Sequence, residues 1–129
     1  MIYIGFVFDV EKPDLEKYMH ADFIKSMRDI LRDNGVIDVN KKPDDLEGQF
    51  LIGYKGGLYL IDSDFEVSQS EFPYHAIGSG TDYALGVLNY FYESGQMENG
   101  NPEVILRWAL TAAEKHNIYI RQPFVYLDA

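Results

Sequence analysis

The chain has 129 residues, of which 47% are hydrophobic and 15% aromatic, so it can fold around a core of its own. It has no cysteine, which excludes disulfides, thiolate metal sites and a cysteine nucleophile. Eleven basic and 21 acidic residues give a net charge of −10. That charge argues against nucleic-acid binding, which depends on cationic surface.

The sequence carries no signal for a membrane. Its apolar runs are too short to span a bilayer, and the start Met1–Gly5 lacks the basic flank and cleavage site of a signal peptide. The absence of cysteine fits a reducing compartment. We therefore predict a cytoplasmic protein with no membrane partner and no cofactor.

The first half of the chain predicts a strand, a helix and a hairpin. Ile2–Phe8 is a nearly unbroken apolar run, typical of a strand covered on both faces. Apolar residues then recur at helical spacing over 23–31, and Asn34–Gly35 predicts the end of that helix. The runs 50–54 and 58–61 predict two short strands around a glycine turn, again with both faces covered.

The second half predicts two helices among further strands. Gly78-Ser79-Gly80 opens the first helix and Ser94-Gly95 ends it, while Asn101-Pro102-Glu103 is a strong start for the second. The buried stripe of the second helix is predicted to be Val104, Ile105, Trp108, Ala109 and Ala112. Other predicted segments are a polar loop at Asp38–Gly48 and strands at Phe65–Val67, Tyr74–Ile77, Ile118–Ile120 and Phe124–Leu127.

This order of elements predicts an α+β fold. Grouped strands bounded by helices indicate layers, and strands that are apolar on both faces suggest a sheet packed on a second sheet. With helices outside, the result is a four-layer αββα sandwich. We find no linker or internal repeat, so residues 1–129 are predicted to form a single domain.

The segment 78–82 is the most suggestive local feature. Glycines before a helix let the backbone approach a ligand, and the helix N-terminus favours an anion or a developing oxyanion. The alternative is structural: Ser79 or Thr81 caps the helix while the glycines turn the chain. The acidic segment Asp62–Glu66 lacks the glycine and distant glutamate of a calcium loop, so we interpret it as a polar connection.

Three stretches in fixed order resemble the HslV-like peptidases of the proteasome β-subunit class, particularly the short forms of phages and prophages. They are Phe50–Tyr59 running into Ile61–Phe65, then Ala76–Gly80 with Tyr83-Ala84-Leu85-Gly86, then Pro102–Ala113. The resemblance extends from Ile2 to Leu127. It implies the four-layer αββα sandwich of N-terminal-nucleophile hydrolases, with the N-terminal strands missing.

The resemblance also implies a threonine-type peptidase subunit that works in protein degradation. In this family a threonine at the mature N-terminus attacks the scissile carbonyl, and its own amine acts as the base. The sequence begins with Met1-Ile2, so the chain as it stands is expected to be inactive. Ser79 matches the family's Gly-Ser-Gly serine, which orders the terminal amine and relays protons.

Further site residues follow from the same resemblance. Gly78 and Gly80 form the turn around the serine, and Phe8 or Asp9 stands where the family's oxyanion glycine would be. No metal ligand set is implied. The carbonyl groups that hold a monovalent cation in some relatives fall near three residues at which the sequence departs from the family's pattern: Glu114, Asn117 and Ile120.

The implied partners are further copies of this chain in a ring, an ATP-dependent unfoldase and a polypeptide substrate. Two alternatives stay open. One is a non-catalytic protein that keeps the same fold for assembly or interaction. The other is a small-ligand module that uses the turn at residues 78–80.

Overall fold

The computed structural model describes residues 14–35, 37 and 48–128, except for the side chain of Glu16. Three predictions lie outside these residues. They are the strand Ile2–Phe8, the oxyanion residues Phe8 and Asp9, and nearly all of the loop Asp38–Gly48.

The chain divides into two compact units, an N-terminal unit of Met1–Glu71 and a C-terminal unit of Phe72–Ala129. The described residues combine helices with a three-stranded antiparallel sheet, so the predicted α+β class is confirmed. Among those residues, no helix has the length and apolar character needed to cross a membrane. The single domain over 1–129 stays a prediction.

The described part of the N-terminal unit begins with one nearly continuous helical segment. It consists of α1 (Leu15–Tyr18), a π-helical turn (Met19–Phe23) and α2 (Ile24–Asp33). Asp14 caps its start, because the Asp14 carboxylate accepts a hydrogen bond from the Lys17 backbone N–H at 3.1 Å. The helical segment therefore begins earlier than its apolar stripe predicts.

Four-residue spacing produces the buried face of this segment. Met19, Phe23, Met27 and Leu31 are all buried, as the helical period requires for side chains that share one face. The predicted end is confirmed: the Asn34 backbone N–H donates to the Ile30 carbonyl at 3.0 Å, and Gly35 has φ +71°.

The predicted hairpin is confirmed to within one residue. Strands β1 (Phe50–Tyr54) and β2 (Gly57–Ile61) pair antiparallel, with Tyr54 opposite Gly57. Lys55 and Gly56 form the two-residue turn, with φ values of +46° and +78°. Positive φ at both positions gives the twist that two-residue hairpins prefer, which glycine supplies at low cost.

The third strand is shifted from its predicted place. Strand β3 covers Val67–Gln69 and pairs with β2, whereas the sequence predicts Phe65–Val67. The reason is a tight turn before it, in which Phe65 has φ +64° and its N–H donates to the Asp62 carbonyl at 2.9 Å. The Asp64 carboxylate also accepts from the Glu66 N–H at 3.0 Å, so Asp62–Glu66 is a polar connection, as predicted.

Among the described residues the two faces of the sheet are buried to different degrees, and cover on both faces stays a prediction. Tyr59, Ile61 and Val67 belong to the same core as Met27 and Leu31. The opposite face carries Leu51, Leu58 and Leu60, which remain half-buried. An apolar run signals that a strand can be covered on both sides, but its neighbours decide whether it is.

The C-terminal unit is built on two long helices, α3 (Thr81–Glu93) and α5 (Pro102–His116), with the short α4 (Gln96–Asn99) between them. The predicted start of α5 is confirmed, because the Asn101 side chain accepts a hydrogen bond from the Glu103 N–H at 2.9 Å. Gly95 ends α3 with φ +74°, also as predicted.

The predicted strands of the C-terminal unit are wrong. Tyr74–Ile77 and Phe124–Leu127 join no sheet among the described residues, and Ile118–Ile120 is a turn closed by a bond from the Ile120 N–H to the Asn117 carbonyl. Strand formation needs a second strand to accept its ladder of hydrogen bonds, and local apolar sequence does not reveal that partner.

The buried stripe of α5 is also shifted. Ile105, Ala109 and Ala113 are buried, whereas Val104 and Trp108 are 45% and 60% exposed. The small side chains of Ala109 and Ala113 face helix α3 and the turn that precedes it. A helix with apolar residues around most of its surface can be buried on more than one side, so the predicted stripe was one of several possible faces.

Candidate functional site

The candidate site is the turn at residues 78–80, which leads into α3. Gly78 has φ +106°, a conformation that L-amino acids with side chains rarely adopt. Its carbonyl accepts hydrogen bonds from the Thr81 N–H at 3.2 Å and the Thr81 hydroxyl at 2.6 Å. The N-cap is Gly80 and no side chain caps α3, so the structural alternative of a Ser79 or Thr81 cap is wrong.

Close packing fixes this turn against the end of α5. A Cβ atom built on Gly80 would lie 2.9 Å from the Ala113 Cβ and 3.2 Å from the Ile120 Cγ1. Gly80 is buried, and its φ of −95° is open to any residue. Space, and not backbone conformation, is therefore what requires glycine at position 80.

Asn117 ties the same turn to the helix end through hydrogen bonds. Its side-chain amide donates to the Ser79 carbonyl at 2.6 Å, and its side-chain oxygen accepts from the Tyr119 N–H at 2.9 Å. Its own backbone N–H donates to the Ala113 carbonyl, which ends α5. One residue thus connects α5, the following turn and the segment that presents Ser79.

Asn117→Ala is expected to lower the free energy of unfolding by about 1–2 kcal/mol, because two hydrogen bonds are lost. Urea denaturation followed by far-ultraviolet circular dichroism measures it. Asn99→Ala is the control, since Asn99 is an exposed asparagine at the end of α4 and should change the value by no more than about 0.5 kcal/mol. Equal effects of the two substitutions would contradict the role of the Ser79 bond.

Tyr74, which precedes the turn in the chain, is bound to α3. Its hydroxyl donates to the Asn89 side-chain oxygen on α3 at 3.1 Å, and its ring lies 5.5 Å from the Phe72 ring and 5.7 Å from the Tyr92 ring. Partial burial, and secondarily the Glu93 carboxylate, raises the pKa of Tyr74 above its ordinary value. Tyr74 therefore stays a neutral hydrogen-bond donor at physiological pH.

Ser79 itself is exposed at the top of this turn. None of the hydrogen bonds among the described residues involves its hydroxyl, so no base there accepts a hydrogen bond from it. Ser79 is thus presented as an auxiliary polar group and not as an activated nucleophile, which would need a base within hydrogen-bond reach.

The proposed cation carbonyls of Asn117 and Ile120 lie close together, and the guanidinium of Arg121 binds both. The Arg121 Nη1 atom donates to the Asn117 carbonyl at 3.2 Å and to the Ile120 carbonyl at 2.7 Å. For Glu114 the bond involves the side chain and not the carbonyl group: its carboxylate accepts a hydrogen bond from the Gln122 N–H at 3.3 Å. Within the described residues, no group of His, Asp and Glu side chains could hold a metal ion.

The turn also borders a mostly apolar cavity of about 280 Å³. Gly80, Thr81 and Ile120 form the part of its wall nearest the turn, and Ala84, Ala109 and Ala113 lie among the helix residues that line it. Its few polar groups include His75 and Tyr126.

Two features of this site were not predicted from the sequence. From the sequence, Asn117 is named only as a residue near the carbonyl groups that hold a cation in some relatives. An asparagine directly after the basic helix end Lys115-His116 is nevertheless a usable signal for a helix cap. The stacking of the Tyr83 and His116 rings, with centroids 5.2 Å apart, has no such signal, because the two residues meet only when α3 and α5 pack.

Comparison with models of protein families, with curated proteins and with solved structures finds no match for this chain.

Proposed function

We propose that this chain is a subunit of a proteasome- or HslV-like threonine-type peptidase that takes part in protein degradation. The proposal includes the finer architecture, a four-layer αββα sandwich. It is supported by the three sequence stretches that resemble this class in the same order. The observation that carries it is the Gly78-Ser79-Gly80 turn, which presents an exposed serine at the start of α3 and packs tightly against the end of α5.

In this proposal Ser79 is a positioning and proton-relay group for a nucleophile that is not among the described residues. Support comes from its exposed side chain and from the rigidity of its backbone, which Asn117 and Gly80 hold from two directions. A group that orders a terminal amine must be held in place, because misplacement of about 1 Å can cost about 100-fold in rate. The expected partners are further copies of the chain in a ring, an ATP-dependent unfoldase and a polypeptide substrate.

In any form of the protein that hydrolyses peptides, Ser79→Ala is expected to lower turnover by about 100-fold, because a proton-relay group is lost. The free energy of unfolding should change by no more than about 0.5 kcal/mol, since the side chain is exposed. Hydrolysis of a fluorogenic peptide and thermal denaturation measure the two effects. Ser63→Ala, at another exposed serine, is the matched control.

A second candidate function is a non-catalytic interaction protein with the same fold. It is favoured by large apolar side chains that remain exposed on α3 and α5, such as Tyr90 at 62% and Trp108 at 60%. The test uses a form of the protein that carries an N-terminal threonine, in which hydrolysis that a threonine-directed covalent inhibitor abolishes would support the peptidase. A defined oligomer without hydrolysis would support the interaction protein, and a monomer without hydrolysis would contradict both.

A further inference from the structure

The mostly apolar cavity beside the turn at residues 78–80 has room for a small molecule. Its volume is about 280 Å³. An apolar cavity of about 150 Å³ inside a protein is enough to hold benzene. A ligand of up to about twice the size of benzene therefore fits, which is at the lower end of the size range of small-molecule sites.

Small residues on two helices leave this space open. Gly80 and Ala84 line it from the start of α3, and Ala109 and Ala113 line it from α5. The members of each pair are separated by one helical turn, so they lie on one face of their helix. Ala84 and Ala109 also belong to the helix core, so the cavity lies directly beside that core.

The cavity is open to solvent on another side. Ile77, Val125 and Leu127 line it, and they are 38%, 77% and 89% exposed. A ligand can therefore enter from this side while both helices stay folded. An alkyl group that covers these side chains removes hydrocarbon surface from water, so the wall favours an apolar occupant.

His75 supplies a polar group without a partner at this apolar wall. Its side chain is half-buried and lines the cavity, and among the described residues its ring nitrogens make no hydrogen bond or ion pair. A carboxylate can accept a hydrogen bond from the imidazole N–H, whether the ring is neutral or charged. No lining residue is an aspartate or a glutamate, so an ammonium group would enter without a countercharge.

We propose that this cavity binds a short aliphatic carboxylate, with the alkyl chain along α3 and α5 and the carboxylate against the His75 imidazole. Octanoate is within the size that the cavity allows, and its two parts match the apolar wall and the unpartnered N–H donor. The inference goes beyond the proposed function, because it rests on the cavity and on His75 and not on Ser79 or on any resemblance.

Titration of the full chain with octanoate, followed by heteronuclear NMR of the backbone amides, tests the site. The amide signals of Gly80, Thr81 and Ala113 should shift and saturate, with a dissociation constant of about 1 mM or below. Heptylammonium has the same alkyl chain and a cationic head, so it should bind at least about tenfold more weakly. Because the chain has a net charge of −10, unspecific attraction would favour heptylammonium instead.

His75→Phe keeps a ring and removes the N–H donor, so it should raise the dissociation constant for octanoate at least about tenfold. His20→Phe is the matched control, because His20 is exposed in the N-terminal unit and does not line the cavity. It should leave binding unchanged.

The comparison of the two ligands uses the wild-type chain, so it decides the proposal even where His75→Phe folds poorly. Octanoate that produces no saturating shifts at the cavity amides would overturn the proposal. So would heptylammonium that binds as tightly as octanoate, or a dissociation constant for octanoate that His75→Phe leaves unchanged or that His20→Phe raises equally.

Discussion

Leu31→Ala is expected to lower the free energy of unfolding by about 2–5 kcal/mol, because it empties space in the centre of the N-terminal unit. The Leu31 side chain is 0% exposed and belongs to one core with Met27, Tyr59 and Ile61. The structure can collapse only partly around the missing atoms, so a cavity remains. Urea denaturation followed by far-ultraviolet circular dichroism measures the loss.

The preceding residue supplies a matched control. Ile30 lies on the same helix but is only half-buried, so Ile30→Ala should cost clearly less than Leu31→Ala. Both substitutions introduce alanine at a helical position, and helix propensity therefore contributes little to the difference. If the two variants were equally unstable, the α2 face assigned to the core would be wrong.

Gly80→Ala is expected to lower the free energy of unfolding by about 1–3 kcal/mol through overpacking. The new methyl group would meet the Ala113 Cβ at 2.9 Å, and that atom is fixed to the backbone of α5. Ile120 is close on the same side, at 3.2 Å, so the turn must move as a whole. We therefore expect the Asn117 bond to the Ser79 carbonyl to weaken as well.

Gly86→Ala isolates this steric effect, because it makes the same substitution where a Cβ meets no atom within 4 Å. Alanine should stabilise α3 by up to about 1 kcal/mol there. Denaturation at a concentration where both proteins are monomeric keeps association out of the comparison. A Gly80→Ala variant as stable as Gly86→Ala would refute the close packing of the turn against α5.

The sequence by itself determined the local boundaries of this protein. Asn101-Pro102-Glu103 starts α5, Gly35 and Gly95 follow the ends of α2 and α3, and Lys55-Gly56 turns the hairpin. Each of these depends on interactions within a few residues, such as a side chain that caps a nearby N–H or a glycine that adopts positive φ. Such interactions can be recognised without the rest of the fold.

The tertiary structure decided which apolar residues are covered. The segments 74–77 and 124–127 have the composition of strands, yet they form none among the described residues, because a strand exists only with a partner. In α5 the neighbouring elements cover Ala113 and leave Trp108 exposed, although the sequence favours tryptophan for the core. The packing of the neighbouring elements therefore decided which of these side chains is buried.

The tertiary structure also decided the geometry of the candidate site. Asn117 reaches the Ser79 carbonyl across 38 residues of sequence, and Gly80 must be glycine only because Ala113 and Ile120 lie against it. Composition and spacing could single out the Gly78-Ser79-Gly80 turn. They could not show what holds it, because the contacts that do so form only once α3 and α5 have packed.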